Sequence, residues 1–352
     1  MIKARVRKLC ARLRREKCQA AVITGVSDVR YLSGFTGEDS WLVIALDDRP
    51  ALLTDSRFTE QARAEATLFR VVERKIALSE VAAKALRRWK AERTAFDPDQ
   101  LTVRAHQALT KALGGAELRP VEQLVLALRQ VKDAAEVNLI RRAIGIAERA
   151  FLELKAEIEP GMTEKQIADR LEMLLRERGA EGAAFETIAA VRERASLAHA
   201  RPTDRVLKAA DPLLIDWGAR YQLYCSDLTR VILPGRIPPV LRTIYDVVME
   251  AQACALKRIG PGVPLREVDA AARDVIHKAG HGKHFGHGLG HGVGLDVHEL
   301  PHLSRKAEGV LKPGMIFTVE PGIYLPGRAG VRIEDIVLVT KRGCEVLSHL
   351  EK

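Results

Sequence analysis

No stretch of this 352-residue chain supplies the roughly 20 consecutive apolar residues that a membrane-spanning helix requires. Its longest apolar runs, at 20–23, 41–46 and 121–128, are short, and the last is interrupted by Glu122 and Gln123. Cysteine pairing is equally absent: Cys10, Cys18, Cys225, Cys254 and Cys344 are odd in number and none stand as CxxC. Reduced thiols in a reducing compartment are therefore expected, rather than a disulfide framework or a thiolate zinc site. The N-terminus lacks the separate hydrophobic core of a secretory leader, so a cytoplasmic protein is expected. There is also no short-period repeat and no low-complexity tract.

What is present is the balance of a folded globular protein, with 47% hydrophobic and 29% charged residues. The formal net charge is +10, but the first 20 residues hold eight basic side chains and one acid, and so carry most of it. Within them Ile2, Val6, Leu9 and Leu13 recur at helical spacing, which predicts an amphipathic first helix with a basic outer face. The charge thus reads as one solvated helix face, and neither nucleic acid nor a membrane is expected as a partner.

Strand patterns at 20–24, 41–45 and 51–54 alternate with helical patterns at 59–66 and 78–89, which predicts a small α/β domain. A boundary falls near Arg119-Pro120 and 129–133, giving expected domains 1–128 and 129–352. Asp133 with Glu136 has capping-box spacing and opens a long helix through Ile140, Ile144, Ala147 and Phe151. Pro160-Gly161 ends it, and Thr163 with Gln166 starts another running to about Gly179. Beyond that, strands are expected at 185–190, 213–216, 224–233, 315–320, 323–325 and 331–339, with helices at 238–259 and 265–279. The whole reads as α+β.

Nine of the ten histidines follow residue 198, and His284, His287, His291 and His298 fall within 15 residues among five glycines. Glycines allow tight bends and close backbone approach, and imidazoles supply ligands or proton carriers. Carboxylates also sit where they are costly unless paired or metal-bound. Asp216 ends Leu213-Leu-Ile, and Asp227 follows across a turn at 218–222, so that a hairpin would bring the two together. Glu320 follows Met315-Ile-Phe-Thr-Val, and Glu334 lies in Arg332-Ile-Glu-Asp-Ile. Four carboxylates and one imidazole form a hard donor set that suits Mn²⁺ or a similar divalent ion.

Taken in order, Asp216, Asp227 eleven residues on, His291 in Gly-His-Gly-Val-Gly, Glu320 in Phe-Thr-Val-Glu-Pro-Gly and Glu334 in Arg-Ile-Glu-Asp resemble the five metal ligands of the pita-bread metallopeptidases. That family includes methionine aminopeptidase, aminopeptidase P, prolidase and the metal-free creatinase. The resemblance runs from about Lys132 to the end of the chain. The first domain, through Tyr31-Leu-Ser-Gly-Phe-Thr-Gly37 and Leu53-Thr-Asp-Ser-Arg-Phe-Thr59, is similar to the N-terminal domain of the creatinase, prolidase and aminopeptidase P branch.

The resemblance implies a pita-bread catalytic domain holding two divalent ions, Mn²⁺ first, with Co²⁺, Zn²⁺ or Fe²⁺ as alternatives. Asp216 would hold one ion, Asp227 and Glu334 would bridge both, and His291 and Glu320 would bind the other. It further implies that His199 approaches the substrate nitrogen, that His298 stabilises the tetrahedral intermediate and that Glu320 takes a proton. His287, Tyr324 and Arg332 would form the substrate site. Ala198 departs from the proline that many proline-cleaving relatives carry before this histidine.

The expected activity is an Xaa-Pro aminopeptidase acting on short peptides with proline at the second position, the protein being a homodimer. An Xaa-Pro dipeptidase (prolidase) is the alternative within the class. A non-catalytic module on the same fold, binding peptide or nucleic acid, is the alternative outside it.

Overall fold

The structure is a computed structural model describing residues 1–352. Its contacts divide the chain into two compact units, Met1–Arg129 and Gln130–Lys352. No helix in it is long and apolar enough to cross a membrane.

The first unit is built on a mixed six-stranded sheet. Its elements, in order, are α1 (Ile2–Arg15), β1 (Ala20–Ile23), α2 (Val26–Ser33), β2 (Trp41–Ala45), β3 (Ala51–Thr54), α3 (Thr59–Glu65), β4 (Arg70–Glu73), α4 (Leu78–Arg88), β5 (Arg93–Phe96), α5 (Val103–Leu113), β6 (Glu117–Pro120) and α6 (Leu126–Arg129). The strand order is β4-β3-β2-β1-β5-β6. The central strand β1 runs antiparallel to β2 and parallel to β5, and all four of its residues are buried. Strand β5, helix α5 and strand β6 carry too weak an apolar pattern to stand out in the sequence. Helix α1 buries Leu9 and Leu13, with Lys3, Arg7, Lys8, Arg14 and Arg15 exposed, as its periodicity predicts.

The second unit opens with α7 (Ala134–Glu157) and α8 (Glu164–Glu177). Both predicted capping boxes form, Asp133 with Glu136 and Thr163 with Gln166, each satisfying N-terminal amides that a helix leaves unpaired. Short strands follow: β7 (Gly182–Ala183), β8 (Ile188–Val191), β9 (Leu213–Trp217), β10 (Ala219–Tyr221), β11 (Tyr224–Cys225) and β12 (Leu228–Ile232). They form two three-stranded sheets, β11-β10-β7 and β12-β9-β8. A second helix pair, α9 (Pro239–Arg258) and α10 (Leu265–Lys278), precedes β13 (Gly290–Gly292), β14 (Glu299–Leu303), β15 (Ile316–Val319), β16 (Gly322–Leu325), β17 (Ala329–Arg332), β18 (Asp335–Val339) and β19 (Cys344–Val346). These make the sheet β14-β13-β15-β18-β19 and the hairpin β16-β17.

The two halves of this unit repeat one plan. Ile158-Glu-Pro-Gly-Met-Thr163 joins α7 to α8, and Ile259-Gly-Pro-Gly-Val-Pro264 joins α9 to α10. Gly161 and Gly262 both adopt positive φ, at +107° and +81°. Gly161 N donates to Leu207 O as Gly262 N donates to Leu311 O, and the amides of Leu207 and Leu311 return bonds to Met162 O and Val263 O. The linkers are echoed in sequence, as are Gly179 and Gly280 just past α8 and α10, both at positive φ.

Three expected strands prove to be interrupted. The 185–190 pattern is a strand only from Ile188, while 224–233 breaks at Ser226-Asp227 and 331–339 breaks at Ile333-Glu334. The expected turn at 218–222 contains strand β10, which pairs with both β11 and β7. Periodicity alone cannot locate the last two breaks, because Ser226, Asp227, Ile333 and Glu334 are as buried as their neighbours.

Candidate active site

Strand alternation delivers the first carboxylate. Leu213, Ile215 and Trp217 of β9 point into one core, where Trp217 stacks on Phe151 with ring centroids 4.3 Å apart and donates from Nε1 to Ala147 O. Leu214 faces another core, and Asp216 shares its side of the strand. Thr229 lies opposite Asp216 in the β9–β12 ladder, which places Asp227 just beyond the end of that ladder. Gly218 makes this possible, since a Cβ there would sit 1.9 Å from Ser226 O. Glycine is likewise demanded at 290, where a Cβ would meet Thr318 O at 1.9 Å; this close approach brings His291 to Glu320.

The five residues Asp216, Asp227, His291, Glu320 and Glu334 line one cavity of about 750 Å³, together with His199, His287, His298, Tyr324 and Arg332. Donor atoms of Asp227, His291 and Glu334 lie within 4.8 Å of one another. His291 Nε2 is 3.2 Å from Glu320 Oε1 and 3.6 Å from Asp227 Oδ2. Its Nδ1 faces Gly292 O at 3.2 Å, so with the proton there Nε2 presents a lone pair to the carboxylates.

The remaining polar groups form one chain of contacts. Arg332 donates to Asp216 Oδ2 at 2.6 Å, to Thr229 Oγ1 at 3.0 Å, to Ala198 O at 3.1 Å and to Tyr324 Oη at 2.8 Å. Tyr324 Oη lies 2.9 Å from His287 Nε2, and His287 Nδ1 lies 2.8 Å from Gly288 O. The assignment that satisfies all of these has Nδ1 donating to Gly288 and the tyrosine hydroxyl donating to Nε2. Burial lowers the pKa of His287, and of His298, whose ring stands 4.3 Å from that of His291.

Each histidine-bearing segment is pinned by a buried charge. Glu164, fully buried on α8, accepts from Val191 N, Arg194 Nε, Thr203 N and Thr203 Oγ1, and so holds both ends of the loop that carries His199. Arg273 of α10, paired with Asp269, donates to Phe285 O and His287 O. Beside His298, Glu299 accepts from Lys132 Nζ at 2.6 Å, with each side chain 1% exposed.

Packing four carboxylates into one pocket raises the affinity of three of them for protons, while Glu320, although buried, is held down to about 2 by its hydrogen bond and charge contact with His291. Burial, then the charges of their carboxylate neighbours, push Asp227 and Glu334 well above the usual range; burial also raises Asp216, against the pull of Arg332. Arg332 is the one buried guanidinium lining the cavity beside these four acids. Asp216 Oδ1 is buried without a hydrogen-bond partner, a costly arrangement unless a cation completes it. Hard oxygens with one imidazole and an unsatisfied buried carboxylate oxygen fit a divalent metal centre.

Two hydroxyls escaped the reading of the sequence. Thr229 donates to Glu334 Oε2 at 2.7 Å, and Thr318 donates to Glu320 Oε1 at 3.0 Å while accepting from His291 N. Each stands two residues from a candidate ligand, Asp227 or Glu320, and so on the same strand face; the period of two was the available signal. His302, opposite His291 in the β13–β14 ladder, also lines the cavity and was not singled out.

Comparison with known proteins places this geometry. The model of metallopeptidase family M24 matches residues 138–341, and that of the creatinase/prolidase N-terminal domain matches residues 5–131. An uncharacterised peptidase of Bacillus subtilis is 38% identical over 331 residues, 94% of either chain. Similar solved structures include an Xaa-Pro dipeptidase from Bacillus anthracis, 35% identical with TM-score 0.96, covering 100% of this chain and 99% of that one. An X-Pro aminopeptidase from Thermotoga maritima is 39% identical with TM-score 0.88, covering 97% and 98%. The α+β architecture is thus the pita-bread one that the ligand pattern implied, and the chain is a metallopeptidase belonging to family M24, with a creatinase/prolidase-type N-terminal domain.

Proposed function

We propose that this peptidase cleaves the bond before proline, as an Xaa-Pro aminopeptidase that releases the N-terminal residue of short peptides. The observation that carries the reading is the convergence of Asp216, Asp227, His291, Glu320 and Glu334 on one cavity, with His199, His287 and His298 on its wall outside that set. These five residues would hold the metal, with Mn²⁺ favoured by the oxygen-rich set. Bound divalent ions supply a Lewis acid for the scissile carbonyl and acidify water to neutral pH.

The chain's own groups do the rest. Glu320, hydrogen-bonded and oriented by Thr318, accepts the proton of the attacking water and passes it to the proline nitrogen as the C–N bond breaks. His298 donates to the oxyanion that develops on the carbonyl. His199, at the cavity wall, approaches the nitrogen of the scissile bond. The Arg332–Tyr324–His287 chain forms a fixed wall for the proline ring, with no flexible side chain to order on binding.

Substrate length separates two activities. A dipeptidase must meet a free carboxylate next to proline, which calls for an uncommitted cation. Of the two guanidiniums lining the cavity, Arg332 is committed to Asp216, and Arg201 is largely exposed and beside Glu186. This favours longer peptides. The dipeptidase reading draws on the B. anthracis structure, similar over the whole chain. Hydrolysis of Ala-Pro and Ala-Pro-Ala with Mn²⁺ distinguishes them: higher kcat/KM on the tripeptide is expected, and activity confined to the dipeptide would overturn the aminopeptidase reading.

A further inference from the structure

We infer that Gln252, in the middle of α9, is a positioning residue that sets the separation of Glu320 and Glu334 and thereby the affinity of the site for divalent metal. The inference rests on the reading of these two carboxylates as metal ligands. Gln252 is fully buried, and its side-chain amide nitrogen donates to Val319 O at 3.0 Å and to Ile333 O at 3.2 Å. Each of those carbonyls belongs to the residue immediately before a candidate ligand.

The β15–β18 ladder ends at the pair Val319↔Asp335. Glu320 and Glu334 both lie just past that last rung, where strand pairing no longer sets their spacing. The amide of Gln252 spans this place, using both of its N–H groups on the two backbones. Its oxygen accepts from Lys352 Nζ at 2.5 Å, and the same ammonium lies 2.8 Å from Asp335 Oδ2. All three sites of the amide that face protein are thereby used, which fixes its orientation.

Chemistry restricts what else could stand there. A carboxylate would confront two carbonyl oxygens, and an aliphatic side chain would leave both carbonyls without this donor. Gln252 touches neither cavity nor substrate, so its effect passes through the backbone of 319–320 and 333–334. Partners that orient metal ligands without touching the metal change metal affinity by about 10–100-fold when removed.

The test uses the full chain with Gln252→Met, which keeps the side chain's length. Metal-stripped wild type and variant are titrated calorimetrically with Mn²⁺, at a temperature where circular dichroism shows both folded. The variant is expected to bind Mn²⁺ about tenfold more weakly or worse. A role confined to stabilising the fold would lower the melting temperature and leave Mn²⁺ affinity within twofold of wild type, which overturns the inference alone. Wild type that takes up no Mn²⁺ overturns it together with the metal-site reading. Should Gln252→Met not fold, Gln252→Asn, whose amide is too short to reach both carbonyls, is read by the same titration.

Discussion

At the scale of single residues, the cavity assigns different tasks to side chains of one type. His291 turns Nε2 toward Glu320 and Asp227, while His287 is tied at both nitrogens to Gly288 and Tyr324. His298, exposed at the cavity wall, has its pKa lowered by the groups packed around it and then by His291, which favours the neutral ring near pH 7. A neutral imidazole can donate one hydrogen bond to a developing oxyanion. For His298→Ala we therefore expect kcat on an Xaa-Pro tripeptide to fall about 10²–10³-fold. Mn²⁺ binding should persist, as calorimetry on the same preparation would verify; full activity in the variant would remove His298 from the mechanism.

Elements contribute by where they stop. Asp227 and Glu334 occupy breaks between β11 and β12 and between β17 and β18, and both line the cavity. Such breaks need anchors. The turn that carries His298 is anchored by the buried Lys132–Glu299 pair, which ties it to the residue preceding the N-cap of α7. Breaking a buried pair from one side leaves an uncompensated charge and costs about 3–5 kcal/mol. Lys132→Met should thus lower stability by about that amount in urea unfolding, and Lys132→Met with Glu299→Leu should recover most of it. If the pair does position His298, the double variant will regain stability without regaining kcat. Recovery of both would reduce the pair to a structural role.

The same elements show what was legible in the sequence. Asp133, Thr163 and the helix periods are local signals, and the structure returns them as α7 and α8 with their capping boxes. Asp216 and Glu320 stand out because a charge at the end of an apolar strand is conspicuous in one dimension. The breaks at Ser226-Asp227 and Ile333-Glu334 do not, since a polar residue among apolar neighbours is equally compatible with a continuous strand. Thr229 and Thr318 are also silent in isolation: their roles depend on Glu334, more than 100 residues away, and on His291, 27 residues away.

At the scale of the whole molecule, the catalytic unit is a sequence of helix pair and strands written twice, with the candidate ligands drawn from both halves: Asp216 and Asp227 from the first, His291, Glu320 and Glu334 from the second. Folding must therefore bring acids of like charge together in one cavity. A bound cation offsets that repulsion, and it binds the folded chain only, since the unfolded chain has no assembled site. At about 100 times its Kd a single ion adds about 2.7 kcal/mol. Chelation with EDTA should lower the melting midpoint of the unit Gln130–Lys352 by about 5–10 °C, reversed by adding Mn²⁺. An unchanged midpoint in differential scanning calorimetry would sink the metal-centre reading.

The amino-acid sequence by itself determined most of the helices, the class of fold, the hard donor set and the family resemblance, because capping, periodicity and ordered motifs are written in neighbouring residues. Only the tertiary structure decided how those donors meet. Whether Asp216 faces Arg332, whether Thr229 reaches Glu334 and whether Gln252 bridges the backbones before Glu320 and Glu334 depend on strand register and on segments up to 116 residues apart. Hydrogen bonds of fixed length and direction between such segments exist only once the chain has closed on itself, so no reading along one dimension could supply them.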